Sequence, residues 1–405
     1  MPSRKLKWLA NACFIVGFAI PFFVSHYVGM RLGKMPLVSA ANIVLWVAGL
    51  VLAYFAFLQE KKPAPTVSRV MRIGNFVSAY ASSCLTLGIL FGYLFYPTVE
   101  KSIVPAAGPY LLMTIMFTMG LAISFQDWKR MAARPKLITV SVVLRWIVMP
   151  AVAFVLSLAL LRAFPGVTGK ALAVGIIVIG TTPTGGGSNA LTMISKGDLA
   201  LSVSVTSLNT VLAPFLQPVM ILWLAGGIAA LNANALFQDL LYLVVAPVLA
   251  GTILGSIFPR AVSKIKPIFA PLAVVCLSFI VMGTMSKGTS TLIKQFSVLL
   301  YLVVACLILA LAGLFLGFYV PKLFKFNYAQ RKAACFEVGV QNAALAMLVA
   351  LRHFDPLTAL PSIVYGQIQY IVTSAFFVPR LQKLEDKPLV EAVVTEKGAV
   401  EPAGR

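Results

Sequence analysis

Long apolar runs, separated by short polar segments, dominate the pattern of this chain. A helix that crosses the hydrocarbon core of a bilayer needs about 20 predominantly apolar residues. Marking runs of that length predicts roughly twelve spanning helices, near Leu9–Tyr27, Val38–Leu58, Phe76–Tyr96, Pro109–Phe125, Leu137–Leu161, Ala171–Ile194, Leu199–Ala225, Ala235–Ile257, Ile268–Met285, Phe296–Val320, Ala333–Leu351 and Leu357–Val378. The predicted fold class is therefore an all-α polytopic membrane protein.

The composition agrees with a chain whose solvent is lipid. Hydrophobic residues make up 60% of the 405 positions and charged residues only 11%, whereas a soluble domain carries about 25% charged residues. In a soluble protein, a net charge of +21 would suggest a nucleic-acid partner. Here the Lys and Arg residues lie in short loops between apolar runs, so the charge indicates orientation in the bilayer and no nucleic-acid partner.

The distribution of basic residues between alternate loops predicts the topology. If the N-terminus is cytoplasmic, the loops on that side hold 22 Lys and Arg residues, against eight in the opposite loops. Cytoplasmic loops normally carry the excess of positive charge. We therefore expect an even number of spans, both termini in the cytoplasm, and a location in the inner (cytoplasmic) membrane.

A charged segment that contains two prolines divides the chain. Residues 59–74, with the sequence QEKKPAPTVSRVMRIG, predict a stiff cytoplasmic linker. The linker separates an N-terminal two-helix transmembrane hairpin (1–58) from a ten-helix body (75–380). A polar C-terminal tail (381–405) follows the body.

The body divides into two halves of five spans each, at about 75–226 and 235–380. An odd number of helices per half inverts the second half relative to the first, which is the architecture of many secondary transporters. The fourth span of each half has an interrupted sequence, around Asn189 and Asn342. Interrupted helices at matching places in inverted halves predict a binding site near the bilayer midplane.

The first interrupted stretch is GTTPTGGGSNALTMI, residues 180–194. Pro183 breaks the helix, and three consecutive glycines leave the backbone bare (Gly185, Gly186, Gly187). Bare backbone at membrane depth is tolerated only where it is buried in protein or lines a wet cavity. Where the helix resumes, its free N–H groups and positive dipole end form an anion seat. The alternative is a glycine-rich packing surface, which does not account for the polar Ser188 and Asn189.

The second interrupted stretch is FEVGVQNAAL, residues 336–345. Glu337 is the one acidic residue that the pattern places well inside a span, and a carboxylate at that depth is normally paired or functional. Gly339 loosens the helix, while Gln341 and Asn342 supply amides. Hard oxygen ligands, one of them charged, are what an alkali cation requires in place of its water. Asn342 and the three glycines of the first stretch together suggest a seat for a carboxylate.

Polar side chains also line one face of the span that follows the glycine-rich break. Ser202, Thr206 and Asn209 lie at i, i+4 and i+7 and therefore share a helical face. Such a stripe commonly joins two helices by hydrogen bonds. If it lies opposite Glu337 and Asn189, it completes an oxygen cage instead.

Several of these segments resemble the bile acid:sodium symporter family. The resemblance covers roughly residues 75–380 and is carried by GTTPTGGGSN, KGDLALSVSVTSLNTVLAPFLQP, FEVGVQNAALA, MFTMGLAISFQDW and the helix-3 sequence that ends in Met149-Pro150. It implies a core domain, with two crossing broken helices, that moves against a panel domain. The N-terminal hairpin lies outside the ten-helix pattern of this family.

The family resemblance also implies ion sites. One sodium ion is expected at five positions of this chain (Ser188, Asn189, Ser202, Thr206, Glu337). A second is expected at the second broken helix (Glu337, Val338, Val340, Gln341), together with a glutamine on helix 3. The helix-3 position in this chain is Arg145, which departs from the family pattern.

Arg145 is the one basic residue that the pattern places deep inside a span. Burying it costs about 2.5–3.5 kcal/mol at a helix centre, so we expect it next to Glu337. Two compatible interpretations follow. Arg145 is either a structural ion-pair partner of Glu337, or a built-in cation that leaves one sodium ion or a proton to drive coupling.

These observations predict secondary active transport of a small organic anion, a carboxylate, coupled to sodium by alternating access. Sodium ions are the only metal expected, and no other cofactor is. An alternative is a proton-coupled or uncoupled organic-anion transporter in which Arg145 replaces one sodium ion. A remote alternative is an intramembrane enzyme with Ser188 as nucleophile, which lacks an evident general base. A passive channel is a further alternative. The substrate itself is not specified, because the family spans bile acids, pantoate-like acids and other organic acids.

Overall fold

The computed structural model describes residues 87–88, 91–92, 94–122, 134–229, 232–294 and 296–384. The predicted N-terminal hairpin (1–58) and linker (59–74) lie outside the described residues. So do most of the third predicted span and nearly all of the polar tail.

The described residues are almost entirely helical and contain no named strand. The helices are α1 (Tyr96–Glu100), α2 (Val104–Ala122), α3 (Pro135–Ala163), α4 (Val167–Thr181), α5 (Gly187–Ile194), α6 (Leu199–Ala225), α7 (Ala233–Leu240), α8 (Ala246–Ile257), α9 (Pro259–Lys294), α10 (Phe296–Leu323), α11 (Tyr328–Gly339), α12 (Ala343–His353), α13 (Leu360–Val372) and α14 (Val378–Leu381). Two π-helical segments, Leu241–Val245 and Thr373–Phe377, join α7 to α8 and α13 to α14, and a 3₁₀ turn at Pro356–Ala359 precedes α13.

Within the described ranges, five helices are long and apolar enough to cross a membrane: α2, α3, α6, the continuous helix Ala233–Ile257, and Val298–Leu323 of α10. A sixth is added if the bent pair within α9 crosses as one span. The protein is therefore a multi-pass helical membrane protein. The predicted span Leu199–Ala225 coincides with α6, and the predicted span Leu137–Leu161 lies within α3.

Polar caps mark the points where several helices begin. The Asp198 side chain accepts a hydrogen bond from the Leu201 N–H at the start of α6, and Asn327 forms a capping box with Gln330 at the start of α11. Such caps satisfy N–H groups that have no partner within the helix. They also keep polar side chains at the ends of otherwise apolar segments.

The helices pack in two groups. In the first, α2 lies against α8 and α9; in the second, α3, α4, α6, α10, α11 and α13 pack on one another around the broken helices. In the first group a Cβ added to Gly120 would lie 2.2 Å from the Val248 carbonyl oxygen, and one added to Gly251 would lie 2.3 Å from the Phe117 oxygen. Glycine is thus required for the close approach of α2 and α8, as is common between membrane helices.

Two helix breaks meet in the second group. Helix α4 ends at Thr181 and α5 begins at Gly187, while α11 ends at Gly339 and α12 begins at Ala343. The short extended segments between them run antiparallel and pair at Thr184 and Gln341. This pairing supplies hydrogen bonds to backbone groups that the breaks release, which membrane depth requires.

Candidate functional site

The carboxylate of Glu337 is the centre of a buried polar cluster. Glu337 lies in the last turn of α11 and is fully buried. Its Oε1 accepts hydrogen bonds from the Ser202 hydroxyl (2.6 Å), the Ser188 hydroxyl (2.7 Å) and the Thr206 hydroxyl (2.9 Å), and Thr206 also lies 2.9 Å from Oε2. Three helices, α5, α6 and α11, therefore meet at one side chain.

Asn189 completes this cluster from α5. Its Oδ1 accepts a hydrogen bond from the Ser202 hydroxyl at 2.8 Å and lies 3.4 Å from the Thr206 hydroxyl. The five residues that the family pattern assigns to one sodium ion thus contact one another. We call this cluster the oxygen cage (Ser188, Asn189, Ser202, Thr206, Glu337).

Two side chains hold the cage from outside. The Thr184 hydroxyl donates to the Glu337 backbone carbonyl at 2.8 Å and accepts a hydrogen bond from the Asn209 side-chain amide at 3.1 Å. The Asn209 side-chain oxygen in turn accepts a hydrogen bond from the Trp146 ring N–H at 2.9 Å. Asn209 was expected on the cage face because it shares a stripe with Ser202. It lies instead one layer away, where its amide fixes Thr184 and the helix break.

Arg145 does not form the ion pair with Glu337 that was one of the two interpretations drawn from the sequence. Among the described residues no ion pair joins these two side chains. The guanidinium is fully buried, and it donates through Nη2 to Gln341 Oε1 and through Nη1 to the Gly180 carbonyl at 3.2 Å. The hydroxyls of the cage solvate the carboxylate of Glu337, so the two opposite charges occupy neighbouring but separate sites.

Most oxygens expected at a second sodium site already accept hydrogen bonds from the protein. The Val338 carbonyl accepts from the Gln341 amide (3.0 Å), the Val340 carbonyl accepts from the Gly185 N–H (3.2 Å), and Gln341 Oε1 accepts from Arg145. Gln369 holds the Gln341 backbone at both its N–H (2.8 Å) and its carbonyl (3.2 Å). Arg145 and these amides therefore form one hydrogen-bonded network, in which the buried Arg145 Nε has no hydrogen-bond partner among the described residues.

The three glycines of the predicted anion seat have different surroundings. Gly185 is buried, its N–H donates to Val340, and an added Cβ would lie 2.7 Å from the Gln341 carbonyl oxygen. Gly185 thus allows the two breaks to cross and does not offer its N–H to a ligand, contrary to our expectation. Gly186 is exposed, and Gly187, half-buried, begins α5. Gly186 and Gly187 therefore lie at the surface of the first helix break.

Asn342 caps the helix that follows the second break. Its Oδ1 accepts a hydrogen bond from the Leu345 N–H at 3.1 Å. The side-chain oxygen is therefore committed to α12, while the side-chain amide nitrogen makes no hydrogen bond to another described residue. Asn342 was expected in the substrate seat, and its amide nitrogen is the group that this role would use.

The comparisons with known proteins find transporters. A model described as Sodium Bile acid symporter family matches residues 109–296. The chain is 35% identical over 252 residues to the Bacillus subtilis protein named uncharacterized sodium-dependent transporter YocS, over 62% of this chain and 76% of that protein. It is 30% identical over 303 residues to the Arabidopsis thaliana protein named probable sodium/metabolite cotransporter BASS1, chloroplastic, over 75% of this chain and 73% of that protein.

The chain belongs to the sodium bile acid symporter family. The resemblance noted in the sequence motifs is thereby confirmed. This symporter-family protein is a multi-pass membrane transporter and not an enzyme. Ser188, the one residue considered as a nucleophile, instead donates its hydroxyl to Glu337.

Three residues that lie beside the two breaks were missed by sequence reasoning. An added Cβ at Gly186 would lie 3.3 Å from the Met119 sulfur of α2, and one at Gly187 would lie 2.6 Å from the Tyr370 hydroxyl of α13. Gln369, next to Tyr370, holds the second break. A signal was present in the polar residues of the otherwise apolar last span, but a single polar side chain does not reveal which break it faces.

Proposed function

We propose that this protein is a secondary transporter that moves a small organic anion across the cytoplasmic membrane together with sodium. The observation that carries the proposal is the oxygen cage around Glu337, built into the break of two helices. The names of the two relatives above, a sodium-dependent transporter and a sodium/metabolite cotransporter, support sodium as the coupling ion.

The chemistry of the cage suits a small alkali cation. Its five side chains present a carboxylate, an amide oxygen and three hydroxyl oxygens within hydrogen-bonding distance of one another. A hydroxyl can either donate or accept, so each one can rotate to turn a lone pair toward a cation. The single carboxylate then balances the charge of one sodium ion.

The anion seat lies at the helix ends next to the cage. Helices α5 and α12 begin at the two breaks, and the N-terminus of a half-helix in a transporter presents N–H groups and positive dipole to an anionic substrate. We assign Gly186 and Gly187 of α5 and the Asn342 amide to a substrate carboxylate. Gly185 contributes by letting the breaks cross.

Coupling follows from the way α5 serves both sites. Ser188 and Asn189, in the first turn of α5, line the cage, while Gly186 and Gly187 immediately before them face the seat. A sodium ion that binds the side-chain oxygens of Ser188 and Asn189 fixes the first turn of α5 in place, and the anion binds at that same turn. Sodium and substrate therefore favour the same arrangement, which is the energetic condition for coupled binding.

Alternating access requires two bodies that move relative to each other. We propose that the group containing α2, α8 and α9 acts as the panel and the group around the breaks as the core. The proposed topology, two inverted five-helix repeats with both termini cytoplasmic, rests on the helix pattern and on the basic-residue bias between loops.

The test is sodium-dependent binding and uptake by the full chain. Thermal stability of the purified protein is measured against short keto acids, hydroxy acids and a bile acid, with sodium or with potassium. Acids that stabilise only in sodium are then tested for uptake into proteoliposomes. Ser202→Ala removes one hydroxyl oxygen that would contact the ion and should weaken the sodium response about 10-fold, in line with the loss of one interaction with a charged group, about 1.5–3 kcal/mol.

Ser204→Ala is the matched control, because Ser204 is buried on the same helix and, among the described residues, bonds only the Ala200 carbonyl. Uptake that is equal in sodium and potassium would reject sodium coupling. If a pH gradient drove that uptake, Glu337 would be coupled to a proton instead.

A further inference from the structure

We propose that Arg145 permanently occupies a cation position of the transport site, so that the site binds one mobile sodium ion. This inference rests on the proposed sodium-coupled function and adds the number of ions. Three observations support it: the position of the guanidinium, its hydrogen bonds and the net charge of the buried side chains.

The guanidinium lies at the C-terminal ends of two half-helices. Gly180, whose carbonyl it binds, is in the last turn of α4, and Gln341, whose side-chain oxygen it binds, lies two residues after the end of α11. Helix C-termini carry the negative end of the dipole. Unwound carbonyls and half-helix C-terminal ends are also where transporters bind coupling cations. Arg145 thus fills a position whose electrostatics select a cation.

The donors at this position differ in kind from those of the oxygen cage. Guanidinium and amide N–H groups have no lone pair to offer an ion, and here they bind Gly180, Val338 and Gln341. A mobile cation would have to displace them. The cage oxygens, in contrast, are bonded by hydroxyls that can turn and accept a cation.

Arg145 cannot leave this position as a mobile ion would. Its exposure is 0%, and it lies within α3, which packs along α4 and α10. An arginine keeps its positive charge in proteins. Its full burial also separates it from a ligand at the exposed Gly186, so Arg145 acts on the ions and not by contact with the anion.

The buried charges of the described residues support a single mobile ion. Four of these charged residues are buried. Two of them, Arg331 and Lys332, lie near the start of α11, away from the breaks. Arg331 stacks on Phe318, and Lys332 donates to the Leu384 carbonyl. The other two, Arg145 and Glu337, lie at the breaks, and their charges sum to zero. One sodium ion and one monovalent anion preserve that balance, whereas a second sodium ion leaves an uncompensated positive charge in a low-dielectric site.

The experiment measures binding of radioactive sodium to the purified full-length protein in the presence of the carboxylate that gives the largest sodium-dependent stabilisation in the screen above. Wild type should bind one sodium ion per chain with a Hill coefficient near one. Arg145→Gln removes the fixed charge and should bind two, with a coefficient above one. Arg145→Lys, which keeps the charge, should still bind one. Arg162→Gln, an exposed change in the last turn of the same helix, should match wild type.

If wild type or Arg145→Lys bound two sodium ions per chain, the inference would be wrong, but sodium coupling would remain supported. An Arg145→Gln protein that folds and binds only one ion would overturn it as well. Wild type that binds no sodium would overturn the proposed function together with this inference. If Arg145→Gln fails to fold, the wild-type and Arg145→Lys counts still decide the question.

Discussion

Thr184 and Gln341 pair side by side, in antiparallel register, where the two broken helices cross. The Thr184 hydroxyl binds the backbone carbonyl of Glu337, and the Gln341 side chain binds Arg145. One backbone pair therefore joins the buried acid and the buried base without placing them in contact. Because both charges depend on this crossing, a change at either break should affect ion binding as well as substrate binding.

Replacing Glu337 by glutamine should abolish sodium binding. The change retains the size of the side chain but removes the charge that compensates the cation, and we expect a loss of roughly 100-fold or more in sodium affinity, in line with breaking a buried charge pair. Glu337→Ala should likewise abolish coupled uptake. Binding of radioactive sodium to the purified protein measures the loss.

Glu100→Gln, an exposed change at the end of α1, is the control for this experiment. Full sodium-dependent uptake by the Glu337 variants would show that the ion binds elsewhere.

A bulky side chain at Gly186 should block substrate binding and leave sodium binding nearly unchanged. Gly186 is exposed at the start of α5, with the Met119 sulfur 3.3 Å from an added Cβ, so the side chain of Gly186→Leu would fill the space between α5 and α2. Asn342→Ala should weaken anion binding in the same way. The measurement is the shift in thermal stability caused by a bound carboxylate in sodium.

Gly227→Leu provides the comparison, since no heavy atom of the described residues lies within 4 Å of an added Cβ at Gly227. Normal transport by Gly186→Leu would mean that the anion does not sit at this break.

Gly185→Ala should destabilise the folded protein. Its Cβ would lie 2.7 Å from the Gln341 carbonyl oxygen, a backbone atom that cannot rotate away, so the crossing segments would have to separate. Overpacking of this kind costs about 1–3 kcal/mol. Thermal unfolding in detergent, with Gly227→Ala for comparison, tests this expectation. Equal stability of the two variants would indicate that the crossing tolerates a wider spacing.

The net charge moved per cycle should depend on Arg145. If one sodium ion accompanies one monovalent anion, a membrane potential should not change uptake by wild type. Arg145→Gln, with two sodium ions, should move one net charge, and a potential of about 100 mV, interior negative, then favours accumulation by up to roughly 50-fold. A potassium diffusion potential across proteoliposomes makes the comparison. Voltage-driven uptake by wild type would contradict the one-to-one ratio.

The sequence by itself was sufficient for features that depend on local properties of the chain. Bilayer thickness dictates the length of an apolar span, so Leu199–Ala225 was predicted as it is found in the structure. Prolines lie inside α3 and α6 without ending these helices, whereas proline or glycine next to a cluster of polar residues marked the stretches around Asn189 and Asn342 as breaks. Burial of a carboxylate in a membrane span costs free energy, so Glu337 was predicted to be functional from its position alone. The sequence motifs indicated the family.

Only the tertiary structure decided which of these groups meet. A helical stripe that contains Ser202, Thr206 and Asn209 places all three on one face, but the crossing of the breaks brings the first two to Glu337 and Asn209 to Thr184. Arg145 binds Gln341 and not Glu337, because the hydroxyls already satisfy the carboxylate. Such choices depend on packing between segments that are distant in the chain, and no local pattern encodes them.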